Sequence, residues 1–161
     1  MGRLRNMATV YLMYQDKVLL LYKENSRVVH NAWVGSAGGH FEECELNDAR
    51  ACVLRELEEE LSLTESDIQD LSLKYVCLRQ VDGEIRINYY YFATLQEYQE
   101  DIPSNEGITA WYPLEEVLEL TMPYTAKSML EHYLQTGRYT DRIYGGIAGD
   151  ECFTFTEFKQ F

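Results

Sequence analysis

The protein has 161 residues, with 27 acidic and 14 basic side chains, and its formal net charge at pH 7 is −13. Apolar residues make up 46% of the chain and aromatic residues 13%, which supports one sizeable core and excludes a disordered chain. The acidic charge disfavours binding to DNA, RNA or an acidic membrane, because such binding depends on Lys and Arg that neutralise phosphates. A small anionic substrate stays open, since a divalent cation held by clustered carboxylates reverses the local charge.

The cysteines and the N-terminus indicate no zinc site and no targeting segment. The four cysteines form no C-x-x-C pair and match no zinc-binding spacing, so we expect buried or half-buried thiols. The N-terminus lacks the apolar run of a secretory signal, and the longest apolar runs are too short to cross a bilayer. A cytoplasmic protein is therefore expected.

The first half of the chain predicts a hairpin, a loop and a helix. Two β-rich runs, Thr9 to Tyr14 and Val18 to Tyr22, flank a polar turn and predict the hairpin. The segment from Lys23 to His40 is polar and ends in several glycines, which predicts a loop. From Asp48 to about Leu61 the residues are strong helix formers without Gly or Pro, and Asp48 is a suitable N-cap.

The second half predicts further strands and a second long helix. Leu71 to Leu78 and Glu84 to Thr94 are β-rich, and the Asp82-Gly83 pair between them predicts a hairpin. A polar loop from Glu97 to Gly107 precedes a short strand, Ile108 to Tyr112.

The C-terminal part predicts a brief helix over Leu114 to Leu120 and a longer one over Thr125 to Gln135, stopped at Gly137. The tail from residue 136 to 161 is expected to form a packed hairpin. The order of strands and helices argues for one mixed α/β domain that spans residues 1–161, with a core at about 8–135.

The predicted first helix carries three carboxylates on one face. At 100° per residue Leu54, Leu57 and Leu61 form the arc that packs on the sheet. Another arc holds Glu56, Glu59 and Glu60, because side chains at i, i+3 and i+4 meet on one face. A bare cluster of this kind is commonly a solvated acidic surface, whereas a metal site would need Mg²⁺ or Mn²⁺, which prefer oxygen ligands.

Two neighbouring features favour the metal site. Arg55 directly precedes the cluster and is suited to orient a glutamate through a charge-assisted hydrogen bond. The glycine segment with Gly38 and Gly39 ends close upstream, where its backbone groups are able to approach a metal and phosphates.

These residues resemble a known family signature. The segments Gly39 to Glu45 and Arg55 to Leu63 are similar to the Nudix box, G-x5-E-x7-R-E-U-x-E-E-x-G-U, in which U is a bulky aliphatic residue. Two positions depart from it. Nine residues instead of seven separate Glu45 from Arg55, which puts the role of Glu45 in doubt, and Ser62 replaces the second glycine. Ser62 costs little if the turn avoids positive φ.

The resemblance implies a Mg²⁺-dependent Nudix hydrolase with an α/β/α sandwich. It implies that the three glutamates and the carbonyl of Gly38 hold the metal, with Glu59 or the loop residue Glu106 as general base; Glu106 is equally well read as a plain surface acid. Lys23, Gly38, Gly39 and Trp33 are the expected substrate-binding residues. For Lys23 a solvated surface position, and for Trp33 and Trp111 a place in the core, are alternatives. The three histidines receive no role.

The flanking sequence resembles MutT-type members, and markers of other branches are missing. Arg79 stands near the point where the ADP-ribose branch has a proline, and the coenzyme A and NADH pyrophosphatase signatures are absent. The resemblance implies a nucleoside triphosphate pyrophosphohydrolase acting on nucleotides such as 8-oxo-dGTP.

Other readings stay open. They are a hydrolase of another diphosphate such as a nucleotide sugar, a non-catalytic nucleotide sensor and an acidic interaction module. A homodimer is compatible with the family.

Overall fold

The computed structural model describes residues 2–24 and 31–160. This part of the chain contains nine strands and two α-helices. The strands are β1 (Arg3–Tyr14), β2 (Lys17–Lys23), β3 (Ala32–Val34), β4 (Ala37–His40), β5 (Ile68–Val81), β6 (Glu84–Leu95), β7 (Ile108–Pro113), β8 (Tyr144–Ala148) and β9 (Phe153–Glu157). The helices are α1 (Ala49–Leu61) and α2 (Tyr124–Gln135).

The nine strands form one mixed sheet with the path β3-β2-β1-β6-β5-β8-β9, in which β4 pairs with β1 and β7 with β2. Residues of β1 alternate between two cores, because successive side chains point to opposite faces. Val10 and Leu12 pack in one core with Leu57 of α1, while Tyr11 packs in the other with Met129 of α2. The helices therefore cover opposite faces, and the predicted α/β/α sandwich is confirmed.

Helix α1 begins as predicted but ends differently. The Asp48 carboxylate accepts a hydrogen bond from the backbone N–H of Ala51 at 3.0 Å. At the other end Ser62 has φ 56° and ψ 30°, so the condition under which serine would cost little here, a turn without positive φ, is not met. This left-handed residue lets the Ser62 and Leu63 N–H groups bond to the carbonyls of Glu58 and Leu57, at 3.0 and 3.3 Å, and close the last turn.

The prediction of a loop from Lys23 to His40 is wrong for Ala32–Val34 and Ala37–His40, which form β3 and β4. Residues 25–30 of this segment lie outside the described part. Gly38 pairs with Thr9 of β1, and a Cβ at Gly38 would lie 2.6 Å from the Ala8 carbonyl oxygen. The glycines therefore allow two backbones to approach closely, a role that composition does not distinguish from loop flexibility.

The Asp82-Gly83 hairpin is confirmed, with φ values of 50° and 79° at its two turn residues. The brief helix expected over Leu114 to Leu120 is reduced to a 3₁₀ turn, Val117–Glu119. Gly137 is not a left-handed cap; it begins a 3₁₀ turn, and a Cβ there would overlap the Tyr75 hydroxyl.

The described tail adds two strands to the sheet edge. Strand β8 pairs in parallel with β5 and antiparallel with β9. Cys52 and Cys77 are buried, but Cys44 and Cys152 are exposed, which corrects the expectation for those two thiols. Neither helix in the described ranges has the length and apolar character needed to cross a membrane.

Candidate active site

The three glutamates of α1 that are predicted to bind a metal differ in their exposure to solvent. Glu56 and Glu60 are each only 8% exposed, whereas the Glu59 side chain is 56% exposed. The helical spacing predicts a common face, and the structure adds that two of the three carboxylates are withdrawn from water. Buried carboxylates need compensating partners, because transfer of a charge from water is costly.

Arg55 is the principal partner of this cluster. Its Nη1 donates to Glu56 Oε1 at 2.7 Å and to Glu59 Oε2 at 2.9 Å. Its Nη2 donates to the His40 carbonyl oxygen at 3.0 Å. One guanidinium therefore joins two carboxylates of α1 to the end of β4. Its hydrogen bonds to Glu45 and to Glu56 raise the pKa of Arg55.

Glu45 joins the same guanidinium in spite of the longer spacing. It is 4% exposed, and it accepts from Arg55 Nε at 2.7 Å and from Nη2 at 3.0 Å. The extra residues fall after Glu45, where residues 46–48 lead into α1 and the Asp48 N–H donates to the Glu45 carbonyl oxygen at 2.8 Å. The Glu42 N–H donates to Glu45 Oε2 at 2.9 Å. The bonds from Arg55 hold the pKa of Glu45 below its ordinary value.

The glycines of β4 make room for the buried carboxylates. A Cβ at Gly39 would overlap the Glu56 carboxylate, and the Gly38 N–H donates to Glu60 Oε2 at 3.2 Å. Burial raises the pKa of Glu56, and it raises the pKa of Glu60 to about 7 although Lys23 and the Gly38 N–H oppose the shift. The site therefore holds carboxylates that favour a nearby cation.

The loop before β7 brings a further acid to the site. Asn105 Nδ2 donates to the Glu59 carbonyl oxygen at 2.9 Å, which ties this loop to the end of α1. Next to it, Glu106 Oε2 lies 3.9 Å from Lys23 Nζ. Sequence reasoning identified Glu106 and Lys23 but missed Asn105, because a polar loop residue carries no signal of its carbonyl partner.

Several of the predicted site residues border a cleft of about 640 Å³. Its lining includes the predicted residues Lys23, Gly38, Gly39, Glu56, Glu60 and Glu106. The structure thus brings Glu56 and Glu60, the glycines of β4 and Glu106 together at one opening, whereas Glu59 is not among the lining residues. That volume is in the range of small-molecule sites.

Comparison with known proteins identifies the family. The family model described as NUDIX domain matches residues 3–133, which is most of the chain. The protein belongs to the Nudix family. A search of curated proteins finds no match.

Solved structures agree with this membership. A mutator MutT protein from Bacillus halodurans is 24% identical, with a TM-score of 0.69 and coverage of 95% of this chain and 97% of that one. A Caenorhabditis elegans Ap4A hydrolase complex is 16% identical, with a TM-score of 0.67 and coverage of 84% and 99%. At these identities the likeness shows a shared fold, and the hydrolases of the Nudix family act on acid anhydrides of phosphorus. Such enzymes act on small nucleotide-like substrates and generally use a divalent metal.

The Nudix glutamates fit a hard divalent cation by their chemistry. Among residues 2–24 and 31–160, no three His, Cys, Asp or Glu side chains converge as they stand to hold a metal, since Arg55 binds Glu59 and one oxygen of Glu56. Glu56 and Glu60 nevertheless offer buried carboxylate oxygens beside the cleft, the donor type that Mg²⁺ prefers.

The two tryptophans of the Nudix domain lie in aromatic clusters. Trp33 packs against Tyr22 and Tyr112, with ring centroids 5.0 and 4.9 Å away, and it is not among the cleft-lining residues. Trp111 donates from Nε1 to the Gln99 carbonyl at 2.8 Å and packs against the α1-side core. A substrate contact by Trp33 stays a prediction.

Proposed function

We propose that this Nudix hydrolase cleaves a nucleoside triphosphate to the monophosphate and pyrophosphate with Mg²⁺ or Mn²⁺. The observation that carries the proposal is the pair of buried carboxylates, Glu56 and Glu60, at the rim of a cleft of nucleotide size. A negatively charged nucleotide enters such a site only if a cation compensates the carboxylates. The net charge of −13 is therefore compatible with a nucleotide, and polymeric nucleic acid stays disfavoured.

The metal ligands in this proposal are Glu56, Glu59, Glu60 and the carbonyl of Gly38. When bound, a divalent cation neutralises phosphate charge and lowers the pKa of a bound water. Arg55 acts as a positioning residue, because its guanidinium holds the carboxylates of Glu56 and Glu59 by direct hydrogen bonds. Glu59, the exposed carboxylate of the three, would hold the metal only when released from Arg55.

The general base is Glu106 or Glu59. The Glu106 side chain is 49% exposed, lines the cleft and faces Lys23, so it is free to accept a proton from a water at the cleft. Glu59 already accepts a hydrogen bond from Arg55, so one of its carboxylate oxygens is occupied. This contrast favours Glu106.

The substrate phosphates are bound by Lys23 and by the backbone of Gly38 and Gly39. Lys23 is a cation on the cleft wall, with 22% of its side chain exposed. A Cβ at Gly39 would meet the Glu56 carboxylate, so the absence of a side chain keeps the backbone there open to a phosphate in the cleft.

A panel of nucleotides incubated with Mg²⁺ tests the proposal. It contains the common nucleoside triphosphates, 8-oxo-dGTP, a dinucleoside tetraphosphate and nucleotide sugars, with the products identified by chromatography. Glu59→Gln and Glu106→Gln are compared with Glu58→Gln, since Glu58 is an exposed residue of the same helix. We expect monophosphate and pyrophosphate from a triphosphate, and loss of turnover in the first two variants only.

A dinucleoside polyphosphate is the second candidate substrate, because an Ap4A hydrolase shares the fold. Turnover of this compound in preference to every triphosphate would replace the first proposal. Binding of nucleotides without any turnover would instead indicate a sensor.

A further inference from the structure

Three arginines form one row across the central strands of the sheet. Arg86 of β6 pairs with Arg5 of β1 and with Arg79 of β5, and residues paired in this way project from the same face. All three line the cleft that also holds the acidic cluster. Arg5, Arg79 and Arg86 are called the arginine row below.

The arginine row is only partly neutralised. Glu84 contacts Arg5 at 3.4 Å and Arg86 at 3.1 Å. Arg79 makes no side-chain hydrogen bond or ion pair within the described ranges. Three positive charges therefore face one carboxylate in a chain whose net charge is −13.

Such a row is unfavourable without a ligand, because like charges on paired strand positions destabilise a sheet. The positive field also reaches a neighbour. Arg5 Nη2 lies 2.8 Å from His40 Nε2 at the end of β4.

The arginine row lies at a distance from the acidic cluster within the same cleft. The Gly38 N–H bonds to Glu60, and Gly38 pairs with Thr9 of β1. Arg5 precedes Thr9 by four residues of the same strand, which is about 13 Å at about 3.3 Å per residue. Asn88 and Tyr90 line the cleft between them. One end of the cleft is therefore suited to a cation and the other to an anion.

We propose that the arginine row binds a second phosphate group of the substrate, carried by the nucleoside part away from the anhydride that is hydrolysed. The planar guanidinium group binds phosphate oxygens through two parallel hydrogen bonds. A nucleoside with free hydroxyl groups would leave the charge of Arg79 uncompensated in the cleft. This inference rests on the proposed function, because it assigns the other end of the substrate to the acidic cluster.

Binding without metal tests the arginine row apart from catalysis. The probes are adenosine and guanosine 5′-monophosphates and the corresponding 2′,5′- and 3′,5′-bisphosphates, measured by calorimetry with a chelator present. We expect at least one bisphosphate to bind the wild-type protein about tenfold more tightly than its 5′-monophosphate. Arg79→Gln removes this preference, and Arg142→Gln, which removes an exposed arginine paired with Glu157, keeps it.

Equal affinity of the wild-type protein for all of these ligands overturns the inference, and so does a preference that survives in Arg79→Gln. Arg86→Gln provides a second variant, and the melting temperature of each variant verifies folding. A protein that prefers a bisphosphate but hydrolyses no nucleotide contradicts the proposed function and supports the arginine row as a phosphate site.

Discussion

The guanidinium of Arg55 binds both carboxylate oxygens of Glu45, with Nε 2.7 Å from Oε1 and Nη2 3.0 Å from Oε2. Because Glu45 is buried, we expect Arg55→Met to lower the free energy of unfolding by about 3–5 kcal/mol, as removal of one partner leaves an uncompensated charge. Arg50→Met, which removes the exposed pair with Glu65, is expected to cost less than about 1 kcal/mol. Urea denaturation measures both values, and equal losses would contradict a structural role for Arg55.

Two neighbouring glycines have separable roles. A Cβ at Gly38 meets backbone atoms of Ala8 and Thr9, whereas a Cβ at Gly39 meets the flexible Glu56 carboxylate. We therefore expect Gly38→Ala to lower the melting temperature clearly. Gly39→Ala should fold normally but bind Mn²⁺ at least tenfold more weakly, because Glu56 is displaced. Electron paramagnetic resonance and thermal unfolding distinguish the two results; unchanged metal affinity in Gly39→Ala would argue against Glu56 as a ligand.

Ser62 ends α1 in the left-handed region, at φ 56°. A side chain with a Cβ is disfavoured there relative to glycine. Ser62→Gly should raise the free energy of unfolding by about 1 kcal/mol, because a Cβ in the left-handed region costs about 1–2 kcal/mol. Ser62→Ala, which keeps the Cβ, should give no gain. Chemical denaturation of the three proteins measures this, and a less stable Ser62→Gly protein is the contrary result.

Burial of Glu60 predicts a pH dependence of stability in metal-free protein. Its pKa is raised to about 7 in the folded state, so between pH 5 and 7 the folded protein binds more protons than the unfolded one. Stability therefore falls as pH rises through this window, by on the order of 2 kcal/mol. Unfolding of wild-type and Glu60→Gln proteins at pH 5, 6 and 7 measures the effect, and the variant should lack this component. Identical slopes of the unfolding free energy against pH in the two proteins would contradict this role of Glu60.

The helix and the hairpins were predictable because their signals are local. The N-cap at Asp48 and the Asp82-Gly83 turn depend on residues adjacent in sequence. The strand at Ala37–His40 was not predictable, because its glycines pair with a distant strand instead of forming a local turn. Ser62 likewise takes a conformation that its residue type does not favour, because the helix ending requires it.

The candidate site was likewise predictable only where its signals are local in sequence. Helical spacing placed Glu56, Glu59 and Glu60 together, but only the packing of α1 decides that Glu59 is the exposed one. The arginine row depends on the register of three strands separated in sequence, so single-sequence patterns do not reveal it. Asn105 is not predictable from local sequence either, because the carbonyl that accepts its hydrogen bond lies 46 residues away in the chain.

Under the proposed function, the buried carboxylates hold the divalent cation needed for hydrolysis. The most direct test is the rate of nucleotide hydrolysis as a function of Mg²⁺ concentration for Glu60→Gln, with Glu58→Gln as the control on the same helix. We expect Glu58→Gln to match the wild-type protein. Glu60→Gln should require at least tenfold more Mg²⁺ and reach a lower kcat. An unchanged Mg²⁺ dependence and kcat in Glu60→Gln would contradict the claim.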